Sequence, residues 1–193
     1  MISVKFGGSS MSTAEKIKNI AAIVNNLIHQ KPIIVLSAIG STTDSLIKAG
    51  HNAMCGRIDI NGLRDLHYEI ADGLGIDGHL LDPFFLEINN LLMGISLIKE
   101  LSDRTYDHLI SFGERMSVRI FAAYLNNNGL KAKAYDSWEL GLLTDSNFGN
   151  AEVLDSSQIS IRRNLGYLES NYDHVPVITG FIGKNMDGEI TTF

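Results

Sequence analysis

Residues 2–36 run strand, glycine turn, helix, strand, and that order narrows the folds open to this chain more than any other feature. Ile2-Ser3-Val4-Lys5-Phe6 reads as a short strand leading straight into Gly7-Gly8. Ser12 then starts a helix, with Glu15 three residues on as its capping-box partner. Ile17, Ile20, Ala21, Val24, Leu27 and Ile28 recur at helical spacing and make one apolar face. Lys31-Pro32 ends that helix, and Ile33 to Leu36 is an unbroken apolar run, as expected of a strand buried on both faces. Strand–helix–strand is the unit that builds parallel sheets, so the expected class is α/β.

The rest of the chain continues the pattern. Residues 57–100 read mainly as helix, with apolar positions at Leu86, Ile88, Leu91, Leu92, Ile95 and Leu97. A long helix is expected from about Arg104 to Asn127, capped by Asp103 or Ser102 and stopped near Gly129. Lys131 to Tyr135 reads as a strand, about Ser160 to Ser170 as a helix, and Val175 to Thr179 as a further strand. Gly73-Leu74-Gly75-Ile76-Asp77-Gly78 has the spacing of a dinucleotide fingerprint, but it follows a helical stretch where the fingerprint needs a strand, so it reads as a loop. Gly183-Lys184 is no P-loop, because no glycine stands five residues earlier.

Composition excludes some functions. The net charge of −6 argues against a nucleic-acid surface, which needs a basic stripe. An acidic chain that handles phosphates must gather its few cations locally. The one cysteine, Cys55, cannot form an intrachain disulfide, which fits a reducing cytoplasm, and nothing near it in sequence activates it. The opening strand is no signal peptide, an unbroken apolar run such as Ile33 to Leu36 is far short of a membrane span, and no histidine spacing suits a metal. With 193 residues the chain can bury one sizeable core.

Each strand runs into small or polar residues: Gly7-Gly8-Ser9, Ser37-Ala38-Ile39-Gly40, Asp136, and Gly180-Phe181-Ile182-Gly183. Ligands of open parallel sheets bind beyond the carboxyl ends of the strands, although ordinary turns use the same residues. Gly7-Gly8 between strand and helix lets backbone N–H groups converge on an anion, with a helix N-terminus behind them. Lys5, on a strand otherwise apolar, either meets a phosphate oxygen there or snorkels to water. Inside the 104–127 helix, Ser111-Phe112-Gly113-Glu114-Arg115 places a glycine that costs about 1 kcal/mol relative to alanine, so something approaches the backbone closely. Glu114 beside it is either a ligand for an ammonium group or half of a surface pair with Arg115.

Taken together, these stretches resemble the aspartokinase branch of the amino-acid kinase family. Val4-Lys5-Phe6-Gly7-Gly8-Ser9-Ser10 is similar to its K-F-G-G-T-S opening, with Ser9 in place of threonine. Val35-Leu36-Ser37-Ala38 with Thr43-Asp44 resembles its V-S-A segment and the T-N that follows, Asp44 departing from asparagine. Ser111 to Ser117 resembles its S-F-G-E-R-L-S helix, Thr144 to Ala151 its T-D-x-x-F-G-x-A loop, and Val177 to Gly183 its V-V-T-G-F-I-G strand. The resemblance implies a three-layer αβα sandwich with a mostly parallel sheet, and transfer of phosphate from Mg-ATP to the β-carboxylate of L-aspartate, with no protein-bound metal. It implies Lys5 as the catalytic charge stabiliser, Gly7, Gly8 and Ser9 around the transferring phosphate, and Thr43, Glu114 and Phe181 at the substrate, with Glu114 on its ammonium. Homo-oligomerisation of the full-length enzyme is a further implication.

The family continues after T-T-L with G-R-G-G-S-D, a nucleotide-binding half and usually ACT regulatory domains, whereas this chain stops at Thr191-Thr192-Phe193. Residues 1–193 are therefore expected to be the N-terminal, acceptor-binding part of a kinase domain, incomplete at its C-terminus and inactive alone. A non-catalytic remnant or partner with the same fold, and an amino-acid kinase with another acceptor, are the competing readings.

Overall fold

A computed structural model describes all 193 residues. Four parallel strands, β1 (Ile2–Phe6), β2 (Pro32–Leu36), β3 (Ala132–Tyr135) and β4 (Val175–Thr179), form one sheet in the order β1-β2-β4-β3. Six helices accompany it: α1 (Ala14–Leu27), α2 (Thr42–Met54), α3 (Asn61–Leu74), α4 (Asp82–Ile98), α5 (Asp103–Asn127) and α6 (Asp155–Ser170). A short antiparallel hairpin, β5 (Ile182–Lys184) with β6 (Ile190–Thr192), follows the sheet.

Strand alternation sorts the core into two layers. Ile34 and Leu36 of β2 and Val175 and Val177 of β4 face a cluster built from α1 through α5, including Ile17, Leu46, Ile70, Ile88 and Phe121. Ile33, Tyr135 and Ile178 face the other way, onto Leu168 of α6. Helices on both faces of a parallel sheet make the expected αβα arrangement.

Several boundaries differ from the sequence reading, each for a local reason. Thr13, not Ser12, caps α1: its hydroxyl accepts from the Lys16 amide at 3.3 Å, while the Ser12 hydroxyl donates to the Ser9 carbonyl at 3.1 Å. Gly8–Met11 is a single 3-10 turn, so α1 starts well beyond the glycines. Helix α2 was not expected, because small residues (Ala49, Gly50, Ala53) share its buried face with Leu46 and blur the apolar period. Residues 57–100 divide into α3 and α4 at Gly75, whose φ of +67° ends the first helix inside the G-x-G-x-x-G stretch. Of the two cap candidates for α5, Ser102 is used. Helix α6 starts at Asp155 rather than near Ser160; β4 coincides with the expected Val175–Thr179 strand, and the rest of the Val177–Gly183 motif turns through Gly180-Phe181 into β5.

An 18-residue stretch within Gly78–Ile98, the segment containing α4, has a mean hydropathy of 1.3, and the segment is long enough to cross a membrane. Run-length reading missed it because polar residues interrupt it. Its Phe85, Ile88, Leu92 and Ile95 are buried in the main core, whereas Leu86, Met93, Leu97 and Ile98 are exposed.

Candidate active site

Close backbone packing locks three loops together at the carboxyl ends of the strands. The Gly40 amide donates to the Gly8 carbonyl at 3.1 Å, and the Gly180 amide donates to the Leu36 carbonyl at 3.0 Å. A Cβ at Gly8 would lie 2.7 Å from the Ala38 carbonyl oxygen, and one at Gly180 would lie 3.2 Å from that of Leu36. Gly7 meets nothing within 4 Å, so the first loop is open on that side. Lys16 braces it from behind, donating to the Ser9 carbonyl at 2.8 Å. The expected helix dipole behind the glycines is limited to one 3-10 turn, so any anion held there relies on local N–H groups rather than on α1.

Helix α5 delivers the carboxylate. A Cβ at Gly113 would stand 2.8 Å from the Ala38 Cβ and 3.3 Å from Thr42 Cγ2, so α5 reaches the second loop and the start of α2 only because residue 113 has no side chain. That contact sets Glu114 against the third loop, where a Cβ on Gly180 would lie 3.8 Å from its Oε1. Glu114 is only 6% exposed, and its Oε2 has no hydrogen-bond partner. Burial raises its pKa to about 8, and the positive charge of Lys5 works against that rise.

Lys5 lies opposite Val35 on β1, an edge strand rather than a central one, and its side chain is exposed. It and Glu114 interact by charge without forming an ion pair. Thr43, half-buried, has its hydroxyl 3.7 Å from where a Gly113 Cβ would be, whereas the neighbouring Thr42 hydroxyl is committed to the Ile39 carbonyl at 2.6 Å. Phe181 is 49% exposed at the rim, edge-to-face with Phe193 at 6.3 Å. The structure thus gathers Lys5, Gly7, Gly8, Thr43 and Glu114 at one sheet edge, with exposed Ser9 behind the glycines and Phe181 at the margin. No group of three or more His, Cys, Asp or Glu side chains is placed to hold a metal.

Sequence reasoning placed Gly180 at a strand end without a role of its own, and missed Lys16. The T-G-F motif carried a signal for the first; nothing local distinguished the second from a surface lysine. A buried carboxylate with a free oxygen, near a cation and glycine-lined loops, can accept N–H donors of a ligand while the cation meets its anionic part.

The family model for the "Amino acid kinase family" matches residues 1–193. Among curated relatives, "Aspartokinase 2, chloroplastic" of Arabidopsis thaliana is 40% identical over 188 residues, a span of 94% of this chain and 35% of that protein. "Aspartokinase" of Bacillus sp. (strain MGA3) is 28% identical, over 100% of this chain and 35% of that protein. The chain therefore spans about a third of the length of these relatives. Among solved structures, E. coli aspartokinase III in complex with aspartate and ADP (R-state) superposes with a TM-score of 0.79 at 24% identity, covering 100% of this chain and 43% of that one. Aspartate kinase of Clostridium acetobutylicum gives 0.72 at 23%, covering 100% and 42%. At these identities the structural likeness speaks to fold.

Proposed function

The chain belongs to the amino acid kinase family, and we propose that it is the acceptor-binding part of an aspartate kinase. The reaction is transfer of the γ-phosphoryl group of Mg-ATP to the β-carboxylate of L-aspartate, in cytoplasm, by a homo-oligomeric enzyme. A carboxylate oxygen of aspartate attacks the γ-phosphorus, the bond to the ADP oxygen breaks, and β-aspartyl phosphate and ADP leave. No protein nucleophile is needed, so this chain's contribution is positioning and charge stabilisation.

Glu114 takes the aspartate ammonium, Thr43 supplies a hydroxyl beside it, and Phe181 forms the rim of the acceptor pocket. Lys5 neutralises charge on the transferring phosphoryl group, which lies over the open side of Gly7, Gly8 and Ser9. The reading is carried by one observation above all: the buried Glu114 carboxylate, with Oε2 unpartnered, at the strand ends beside Lys5. Such a group is costly to bury and is accounted for by a ligand cation. The relatives named aspartokinase, and the aspartate and ADP held by the E. coli structure, support the same choice of substrates. A coupled assay of ADP release, run on the protein that carries this chain, tests it. ADP release that depends on L-aspartate is expected. Release that depends instead on glutamate or another acceptor, or on none, would overturn it.

A further inference from the structure

A cavity of about 450 Å³ lies between α4, the start of α5 and the β5–β6 hairpin, and it shares no lining residue with the candidate active site. Helix α5 presents Arg104, His108 and Arg115 to it at helical spacing, the hairpin adds Lys184 and Glu189, and Trp138 forms part of its wall. In a chain of net charge −6, this gathering of cations is unexpected.

The wall carboxylates are already engaged. Glu189 pairs with Arg104 at 2.8 Å and Glu87 with His108 at 3.2 Å. Lys184 joins none of the chain's ion pairs; its ammonium sits 4.7 Å from the centre of the Trp138 ring. The Arg115 guanidinium is held over Phe112 at 5.0 Å and over Phe84 at 5.3 Å, with Trp138 at 6.0 Å. Its Nε and Nη1 are buried without a hydrogen bond. The carboxylate nearest to it, Asp136, stands 3.5 Å from Nε and also serves Arg119. Arg115 and Lys184 thus share one aromatic wall, and Arg115 lacks a full complement of acceptors. Burial lowers the pKa of His108, and Arg115 and Lys184 push it the same way against Glu87.

We propose that this cavity is a second ligand site, for a small dianion whose carboxylate or phosphate group bridges Arg115 and Lys184 beside the face of Trp138. The volume falls within the usual range for small-molecule sites, about 300–1,000 Å³. An anion there relieves the repulsion between the Arg115 guanidinium and the Lys184 ammonium.

Trp138 is the only tryptophan, so its fluorescence reports directly on this wall. The 193-residue chain is titrated with inorganic phosphate and, separately, with citrate, at an ionic strength held constant by sodium chloride. A saturable change with at least one of them is expected, phosphate alone marking a phosphate-bearing ligand and citrate alone a polycarboxylate. Lys184→Gln should weaken that binding about tenfold, the loss expected for one hydrogen bond to a charged group. Arg115→Lys should weaken it comparably, and where circular dichroism shows that variant unfolded, Lys184→Gln decides. Lys5→Ala should titrate as wild type. No saturable change with either anion, an unaltered affinity in Lys184→Gln, or loss of the signal in Lys5→Ala would each overturn the proposal, the last by placing the anion at the Gly7-Gly8 loop.

Discussion

A carboxylate that burial keeps protonated up to about pH 8 binds an ammonium ion only by giving up its proton. For Glu114 this predicts proton release when aspartate binds near neutral pH, read by calorimetry in buffers of differing ionisation enthalpy. Affinity for aspartate should fall about tenfold per pH unit below 8, the slope for one coupled proton. A pH-independent affinity with no proton exchanged would remove Glu114 from the ammonium site. Stability has its own sign. The folded pKa lies above the ordinary 4.5, so the folded state binds the extra proton and stability declines as pH rises from about 4.5 to about 8. Glu114→Gln should abolish that decline, worth on the order of a few kcal/mol, while weakening aspartate binding and leaving ATP affinity nearly unchanged. Lys5→Ala in the complete enzyme should reduce turnover about 10²–10³-fold, the usual loss for one preorganised charge stabiliser. Near wild-type turnover in a folded variant would discard that role. The sequence exposed Lys5 and Gly7-Gly8 readily, because a cation before a double glycine at a strand end stands out locally. It could not show that Glu114 lies within reach of the Lys5 charge, since that proximity depends on how α5 crosses the sheet.

Helix α5 is seated by glycine contacts, and two glycines with opposite surroundings test this. Gly113→Ala gains helix propensity but drives a Cβ to 2.8 Å from the Ala38 Cβ. Overpacking of that kind costs about 1–3 kcal/mol, more than the propensity gain of about 1 kcal/mol. Gly94, exposed in the middle of α4, has nothing within 4 Å of a Cβ, so Gly94→Ala should stabilise by about 0.5–1 kcal/mol. Thermal unfolding of both variants checks the pair, and a stabilised Gly113→Ala would mean α5 can slide away from the second loop. The same contrast explains what could be read from sequence at this scale. Long elements with Leu or Ile at regular spacing, such as α1, declared themselves. Helix α2 did not, because the close crossing that needs Gly50 beside Leu109 also removes its apolar signal. The β5–β6 hairpin went unread because strands of three residues are too short to establish a period.

Across the whole molecule, the buried side chain of Asp107 ties the hairpin to α5, beside the exposed Arg104–Glu189 pair. Asp107 of α5 is fully buried, and its carboxylate accepts from the Thr192 amide at 2.9 Å, the Thr192 hydroxyl at 2.7 Å and the Gly149 amide at 2.9 Å. The segment around residues 143–153 pairs with the hairpin in turn: the Thr144 amide donates to the Lys184 carbonyl, the Ala151 amide donates to the Thr192 carbonyl, and the Thr144 and Thr191 hydroxyls meet at 2.7 Å. Loop and hairpin therefore form one unit, attached to α5 through Asp107. Asp107→Ala would leave three donors without their acceptor, at a cost of about 2–4 kcal/mol. Asp107→Asn, which keeps one acceptor oxygen, should cost less. The loss should also be local, because units of this kind open before the core does. Hydrogen exchange should show the amides of Gly149 and Thr192 losing protection, while those of Ile34 and Phe121 change only with global stability. Uniform loss of protection would mean that the hairpin unit and the sheet unfold as one body, with Asp107 an ordinary member of a single core.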